Sequence, residues 1–569
     1  VNRPTADDRE VTGEFLTLAG ERYYLIRNVD RMDPFFISLV SDGDHWLFIS
    51  STGGLTAGRV SPETALFPYV TVDKIHESAA HTGSKTVIAA EVDGARKMWE
   101  PFNRAHDGRH STSRNLYKNV LGDKLCFEEI NHDLQLTFRY WWLTSDAYGF
   151  VRRCELQNLG VRNCSVELID GLQNILPAGT PRHAQANASN LVDAYKWNEL
   201  LGDEGLAVYT LYSGITDRAE PCESLRATTA FCLGLKGRKV LLSGTQIGRF
   251  RRGSPLSEES LQRGIRGDYL VNASLRLAPG ASEQWQIVAD VERSQAEVVA
   301  LLQELKAPDT LKEAVAKSVQ EGSDRLARIM GGGDAFQTTA EENVTAHHYA
   351  NVLFNILRGG TFDDQYRISA RHFRSAVETF NREVFERHRI ALHALPDALE
   401  LSELLSIVEA LGDPQLDRLT REYLPITFGR RHGDPSRPWN QFAIQLEDER
   451  GDKLLAYQGN WRDIFQNWEA LTFSFPEFIE GVVAKFLNAS TADGYNPYRI
   501  SNEGIDWEVE DPDDPWSYIG YWGDHQIVYL LRLLEWSFRF HPERLAGLLD
   551  RRVFAYANVP YRIKPFERL

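Results

Sequence analysis

Alternation of apolar and polar residues with a period of two runs through the first half of this chain and stops near residue 293. The runs Tyr23–Ile26, Trp46–Ile49, Thr86–Ala89, Leu134–Tyr140, Ser165–Ile169, Ala227–Cys232 and Trp285–Ala289 carry it, with Gly, Asn and Asp at the breaks. A period of two places successive side chains on opposite faces, so these segments predict antiparallel strands. So many short strands over residues 1–290 predict a large β-sandwich rather than a barrel. After residue 293 the spacing changes. Val298, Val299, Leu301, Leu302 and Leu305, then Leu311, Val315, Val319 and Leu326, follow steps of three and four, and Pro308-Asp309 divides them into two helices. Gly331-Gly332-Gly333-Asp334 reads as a linker. From residue 340 to 569 the pattern is helical with long aromatic loops. The expected organisation is a β-sandwich domain over 1–290, a helical linker over 291–339 and a helical domain over 340–569.

At 569 residues the chain exceeds one ordinary core. A net charge of −17, with no lysine-rich run, argues against a nucleic-acid surface. No stretch reaches roughly 18 uninterrupted apolar residues, so no membrane span is expected. The cysteines Cys126, Cys154, Cys164, Cys222 and Cys232 form no CxxC and are odd in number, as for free buried thiols in a reducing cytosol. The first residues carry no basic and apolar leader pattern. A cytoplasmic protein is therefore expected. A start at Val1 suits a chain whose initiator has been removed, or one piece of a longer polypeptide.

Four polar, aromatic segments of the helical part are the candidates for chemistry. In Gly459-Asn460-Trp461-Arg462-Asp463-Ile464-Phe465-Gln466-Asn467-Trp468 a carboxylate stands just inside a helix start, framed by indoles, an amide and a guanidinium. Such a frame can protonate a sugar oxygen: indole faces stack on pyranose C–H groups, amides read hydroxyls, and an apolar wall raises the acid. The plainer reading is a helix cap over core tryptophans. In Arg358-Gly359-Gly360-Thr361-Phe362-Asp363-Asp364 the paired glycines either let the backbone approach a ligand or end one helix before the next. The loop from His432 to Asn440 ends in Trp439, a stacking candidate or a core residue. The longest segment runs from Asp493 to Gln526 through Trp507 and Trp516. Its end, Gly523-Asp524-His525, predicts Asp524 at an N-cap and His525 in the first helical turn, a geometry suited to an anion. The acidic run Asp506, Glu508, Glu510, Asp511, Asp513, Asp514 matches no Ca²⁺ loop and reads as a solvated loop. His347-His348 lacks zinc-site spacing, and no P-loop, post-strand GxGxxG or GxSxG occurs. No metal and no cofactor are expected.

The order of sandwich, helical linker and helical domain, with Gly459-x-Trp461-x-Asp463 in the last part, resembles the inverting glycoside phosphorylases of the cellobiose phosphorylase type. Ile49–Gly54, Met98–Phe102 and Tyr140–Gly160, with its Arg-x-x-Glu-Leu-x-Asn-Leu ending, are similar too. The resemblance implies a β-sandwich joined to an (α/α)₆ barrel. It implies Asp463 as general acid, Trp461 at the sugar site and His525 as a phosphate contact. Inorganic phosphate would be co-substrate and nucleophile, so no protein base is needed. This chain departs from the family's Gly-Asp-Trp-Asn-Asp-Gly at Asn460, Arg462 and Ile464, and carries Asp363 where the family often has Arg. Arg462 either binds an anion or pairs with Asp463 and lowers its pKa. Twelve barrel helices also need more chain than residues 340–569 hold comfortably. A second polypeptide completing the barrel, a homo-oligomer, or a longer parent protein is therefore expected.

The reading favoured by the sequence is an enzyme that cleaves or forms a glycosidic bond of an oligosaccharide with inversion, by phosphorolysis. Trp461, Trp468, Trp439, Trp507 and Trp516 are its stacking candidates, and Gln466, Arg462, Asp363 and Asp364 its polar contacts. The alternative is an inverting hydrolase of glucoamylase-like architecture, whose second carboxylate, about 6.5–9.5 Å from the acid, would be Glu508, Asp506 or Asp524. A catalytically silent glycan-binding or assembly protein would keep the tryptophans and tie Asp463 to Arg462.

Overall fold

The protein is described from a computed structural model, which describes residues 10–92, 94–215, 225–429, 433–437, 442–447, 453–507, 525–559 and 567. The chain divides into two compact units. One comprises Val1–Leu326 with Gly433–Gln441, the other Ala327–His432 with Phe442–Leu569.

The first unit holds an eleven-stranded, a five-stranded and a four-stranded sheet, and their paired strands run antiparallel. The alternation read from the sequence explains how they stack. Along Leu136–Ser145 of the eleven-stranded sheet, Phe138, Tyr140 and Trp142 share a buried cluster with Leu168 and Val271 of the five-stranded sheet and Leu47 and Ile49 of the four-stranded one. The intervening Trp141 and Leu143 face the other way. There they meet Val298, Leu301, Leu311 and Val315 of the helices Gln295–Glu304 and Pro308–Gly332. Those helices are thus packed against the outer face of the sheet, where the sequence suggested a linker. Along its central strands, such as Leu136–Ser145, the large sheet is therefore buried on both faces. Gly331-Gly332-Gly333-Asp334, read as a linker, lies close to where the two units divide and closes the second of these helices. Gly331 and Gly332 finish the helix, and Asp334 takes the left-handed conformation at φ 63°. Ala335 N–H then donates to Met330 (3.1 Å) and Asp334 N–H to Gly331 (3.2 Å), the two bonds of a Schellman cap.

An ion pair crosses the sandwich. Arg152, on Gly149–Asn158, and Asp170, on Cys164–Ile175, are both fully buried and 2.7 Å apart. Thr86 Oγ1 (2.6 Å) and Trp285 Nε1 (2.7 Å) donate to the same carboxylate. The Arg-x-x-Glu-Leu-x-Asn-Leu signature is therefore structural here: Glu155 accepts from Arg139 (3.0 Å), and Asn158 Nδ2 donates to the carbonyls of Arg162, Leu277 and Ala278 at 2.7, 3.1 and 3.2 Å. In Met98–Phe102, Trp99 Nε1 and Phe102 N–H donate to Glu129 at 2.7 and 2.6 Å. Burial alone would raise the Glu100 carboxyl, but Arg251, Lys85 and Asn103 hold it at about 2. Cys126, Cys154, Cys164 and Cys232 are buried free thiols, and Cys222 lies outside the described residues.

In the second unit nine α-helices follow residue 340 among the described residues, from Glu342–Gly359 to Arg544–Leu549. A six-pair barrel has twelve. Small sheets punctuate the helices. Thr361–Phe362 pairs with Ile426–Thr427, and Gln458–Asn460, Arg499–Ser501 and Ile505–Asp506 form a three-stranded sheet. No helix among the described residues is long and apolar enough to cross a membrane.

Removing one member of a buried pair leaves the other charge uncompensated, at a cost of about 3–5 kcal/mol. Asp170→Ala is therefore expected to destabilise the protein by about that amount in urea unfolding, whereas replacing Arg152 and Asp170 together by apolar residues of matched volume costs much less.

Candidate functional site

Helix geometry sorts the Trp461 segment into two faces. In the helix Trp461–Ser474, Trp461, Phe465 and Trp468 fall at i, i+4 and i+7 and are fully buried. Trp461 packs on Phe465 and Phe486 with ring centroids 4.7 and 5.2 Å away, and Trp468 on Phe465 at 5.4 Å and Tyr457 at 5.3 Å. Trp468 Nε1 donates to the Gly359 carbonyl at 2.9 Å. Neither indole presents a face to a sugar, which corrects their assignment as stacking residues. Arg462, Asp463 and Gln466 lie on the opposite, accessible face.

The start of this helix is fixed by the three-stranded sheet. Asn460 pairs with Arg499, and Trp461 N–H donates to the Tyr498 carbonyl at 3.0 Å. Asp463 follows in the first turn, where free N–H groups and the helix dipole favour negative charge. The helix Gln526–Phe540 packs alongside, and His525 stands at its N-cap position, one residue before the expected first turn. Its neighbour Gln526 is fully buried and donates to Asn496 Oδ1 (3.2 Å), while Asn496 Nδ2 donates to Ser490 Oγ (2.7 Å). Neither residue was among the candidates legible in the sequence. Their one signal is an amide placed at the border of an apolar run.

Two helix N-termini thus bring together residues more than sixty positions apart. His525 Nε2 lies 3.6 Å from Asp463 Oδ1, with both side chains about one third exposed. Arg462 Nε lies 3.4 Å from His525 Nδ1. A guanidinium N–H can only donate, so Nδ1 accepts and the ring proton of the neutral imidazole sits on Nε2, facing the carboxylate. The edge of the His525 ring also meets Tyr529, 6.0 Å between centroids. Burial, then the charges of Asp463 and Glu469, push the Tyr529 phenol up. Carboxylate, imidazole and guanidinium on two helix N-termini make a site that can donate a proton and hold an anion.

The other candidates distribute differently. Asp363 is bound to Lys453, and Asp364 is exposed in the turn that follows Phe362. Asp506 is held by Arg499 through Nε and Nη2 at 2.7 and 2.5 Å. Trp507 is partly buried and stacks on Tyr495, 6.0 Å between centroids. Trp439, Trp516, Glu508 and Asp524 lie outside the described residues. The glycine pair serves packing: a Cβ on Gly359 would sit 2.7 Å from Asn467 Cβ, and one on Gly360 (φ 80°) 2.3 Å from Ile426 Cγ2. Among the described residues no group of three His, Cys, Asp or Glu is arranged to hold a metal ion.

Residues 362–425 match glycoside hydrolase family 149 insertion domain 1. The structure accounts for the limits of the match. Phe362 and Ile426 are paired strand residues, so the two ends of the segment meet at one neck, as the ends of an inserted domain must. Four of the nine helices fall inside it, Ala370–Phe380, Arg382–His393, Leu401–Leu411 and Pro414–Glu422. The helices on either side of the matched segment, Glu342–Gly359 and Trp461–Ser474, pack on one another. No curated protein matches the chain. Among solved structures, a bacterial glucoamylase complexed with acarbose is 9% identical with a TM-score of 0.35, covering 92% of this chain and 68% of that one. A putative kojibiose phosphorylase from the human microbiome is 7% identical with a TM-score of 0.26, covering 93% of this chain and 51% of that one. A family GH92 α-mannosidase from Bacteroides thetaiotaomicron is 10% identical with a TM-score of 0.26, covering 61% of this chain and 39% of that one. The chain thus spans about half the length of the kojibiose phosphorylase.

Because the Gly359 contact is to a buried Cβ of a facing helix, Gly359→Ala is expected to destabilise the second unit by about 1–3 kcal/mol. Gln466→Ala, on the accessible face, is expected to stay within about 0.5 kcal/mol. Chemical denaturation of the two variants checks the difference.

Proposed function

We propose that this chain is part of a carbohydrate-active enzyme that cleaves or forms a glycosidic bond with inversion, phosphate being the nucleophile. The cluster of Asp463, His525 and Arg462 carries the reading, and the match of residues 362–425 to a glycoside hydrolase family's insertion domain supports its substrate class. Asp463 donates its proton to the glycosidic oxygen. A phosphate oxygen forms the new bond to the anomeric carbon as the bond to the leaving oxygen breaks, which inverts that carbon. His525 and Arg462 hold the phosphate.

Incubation with α- and β-linked oligosaccharides, with and without inorganic phosphate, tests this. A sugar 1-phosphate formed only with phosphate is the expected product, and free sugar released equally in both conditions would overturn the reading. Asp463→Asn is expected to lower kcat by about 10²–10⁴-fold. His525→Ala is expected to raise the KM for phosphate by about tenfold or more, in keeping with the loss of one charge-assisted contact.

A further inference from the structure

A cavity of about 270 Å³ lies where the inserted segment meets the rest of the second unit, away from the Asp463 cluster. Its polar lining is unusual for an interior. Lys485, on Ile479–Ala489, is 6% exposed. Among the described residues it has no carboxylate partner, and its Nζ lies 5.1 Å from the centre of the Phe380 ring. Of the carboxylates lining the cavity, Glu422 is already bound by Arg418 (2.8 Å) and Asn488, and Glu503 is exposed. Tyr423 is 9% exposed, and its hydroxyl has no hydrogen-bond partner among the described residues. His372 Nδ1 is likewise buried and unpartnered. Burial pushes the imidazole down, towards its neutral form, in which one ring nitrogen is an acceptor.

A buried ammonium without a counter-charge, a buried hydroxyl without an acceptor and a buried acceptor without a donor each cost free energy unless something satisfies them. Here all three line one cavity, between apolar walls that include Phe373, Val377 and Leu424. We propose that this cavity is a second binding site, for a small hydroxylated anion such as a sugar phosphate or a sugar acid. The anionic oxygens meet Lys485 and the Tyr423 hydroxyl, a ligand hydroxyl donates to His372 Nδ1, and the carbon frame lies against the apolar walls. Tyr423 and His372 come from the inserted segment and Lys485 from outside it, so an occupied site ties the two together. The site is independent of the activity proposed above.

Calorimetric titration with glucose 6-phosphate and gluconate tests the site, with glucose and inorganic phosphate as controls that each lack one feature. Glucose 6-phosphate is chosen because phosphorolysis does not produce it. At least one hydroxylated anion is expected to bind more tightly than both controls. Lys485→Met and Tyr423→Phe should each weaken it, the former by about tenfold or more, as expected for loss of a charged hydrogen bond. His525→Ala should leave the affinity unchanged. Lys485→Met puts a flexible apolar chain into an apolar wall and is expected to fold, and Tyr423→Phe provides a second variant of nearly the same shape. The proposal is overturned if neither anion binds, if binding survives both variants, or if His525→Ala abolishes it.

Discussion

The helices Glu342–Gly359 and Trp461–Ser474 can lie against one another because the first of them ends without side chains. The Cβ position of Gly359 is occupied in effect by Asn467, and that of Gly360 by Ile426 and the Thr427 carbonyl. The close approach lets Trp468 Nε1 reach the Gly359 carbonyl at 2.9 Å and Asn467 Nδ2 reach Asn355 at 2.9 Å. These bonds, with the buried Trp461, Phe465 and Trp468, set the rotation of the Trp461–Ser474 helix about its own axis. Rotation decides which residues face outward, and in this register they are Arg462, Asp463 and Gln466. Everything inferred about the cluster therefore rests on a packing constraint that touches none of its three members.

The second support is lateral. His525 reaches Asp463 because Gln526, fully buried, is tied through Asn496 to Ser490 at the end of Ile479–Ala489. Further along the same helix, Ser537 Oγ donates to Glu480 at 2.7 Å, and His541 (3.0 Å) and Arg544 (3.3 Å) gather on that carboxylate. Polar bonds at both ends fix the axial position of Gln526–Phe540, which hydrophobic contact alone leaves free to slide, since apolar packing has no preferred register at this resolution of a helical turn. A cluster that depends on a 3.6 Å approach needs that kind of positional restraint.

The strands were legible because each run keeps large apolar residues on at least one buried face, and the structure places Tyr23–Ile26, Trp46–Ile49 and Trp285–Ala289 in strands as read. The helix starting at Trp461 was legible too. The misreadings came from composition being taken for location. Indoles beside a carboxylate suggested a sugar platform, yet the spacing of Trp461, Phe465 and Trp468 was already that of one buried face. Three glycines suggested a linker, where the left-handed residue that ends the helix is Asp334. The meeting of Asp463 with His525 carries no local signal, since it is set by how two helices pack. The inserted segment was invisible for a related reason: its helices are amphipathic like their neighbours, and only the pairing of Phe362 with Ile426 reveals a neck.

That neck changes what the helical part of the chain has to explain. Four of the nine helices after residue 340 lie beyond it among the described residues, yet both sides of the neck share one buried cluster: Phe373, Leu416 and Leu424 join Trp461, Val482 and Leu533, and Pro414–Glu422 packs on Ile479–Ala489. An insertion attached through two short paired strands is free to pivot unless its flank is also bonded. That flank is bonded, since Glu422 accepts from Asn488 Nδ2 and Glu409 from Arg551 (2.7 Å), and within it Tyr423 and His372 line the cavity together with Lys485. Unsatisfied groups on both sides of the cavity cost free energy when nothing meets them, and an anion held there would turn the same groups into its bonds.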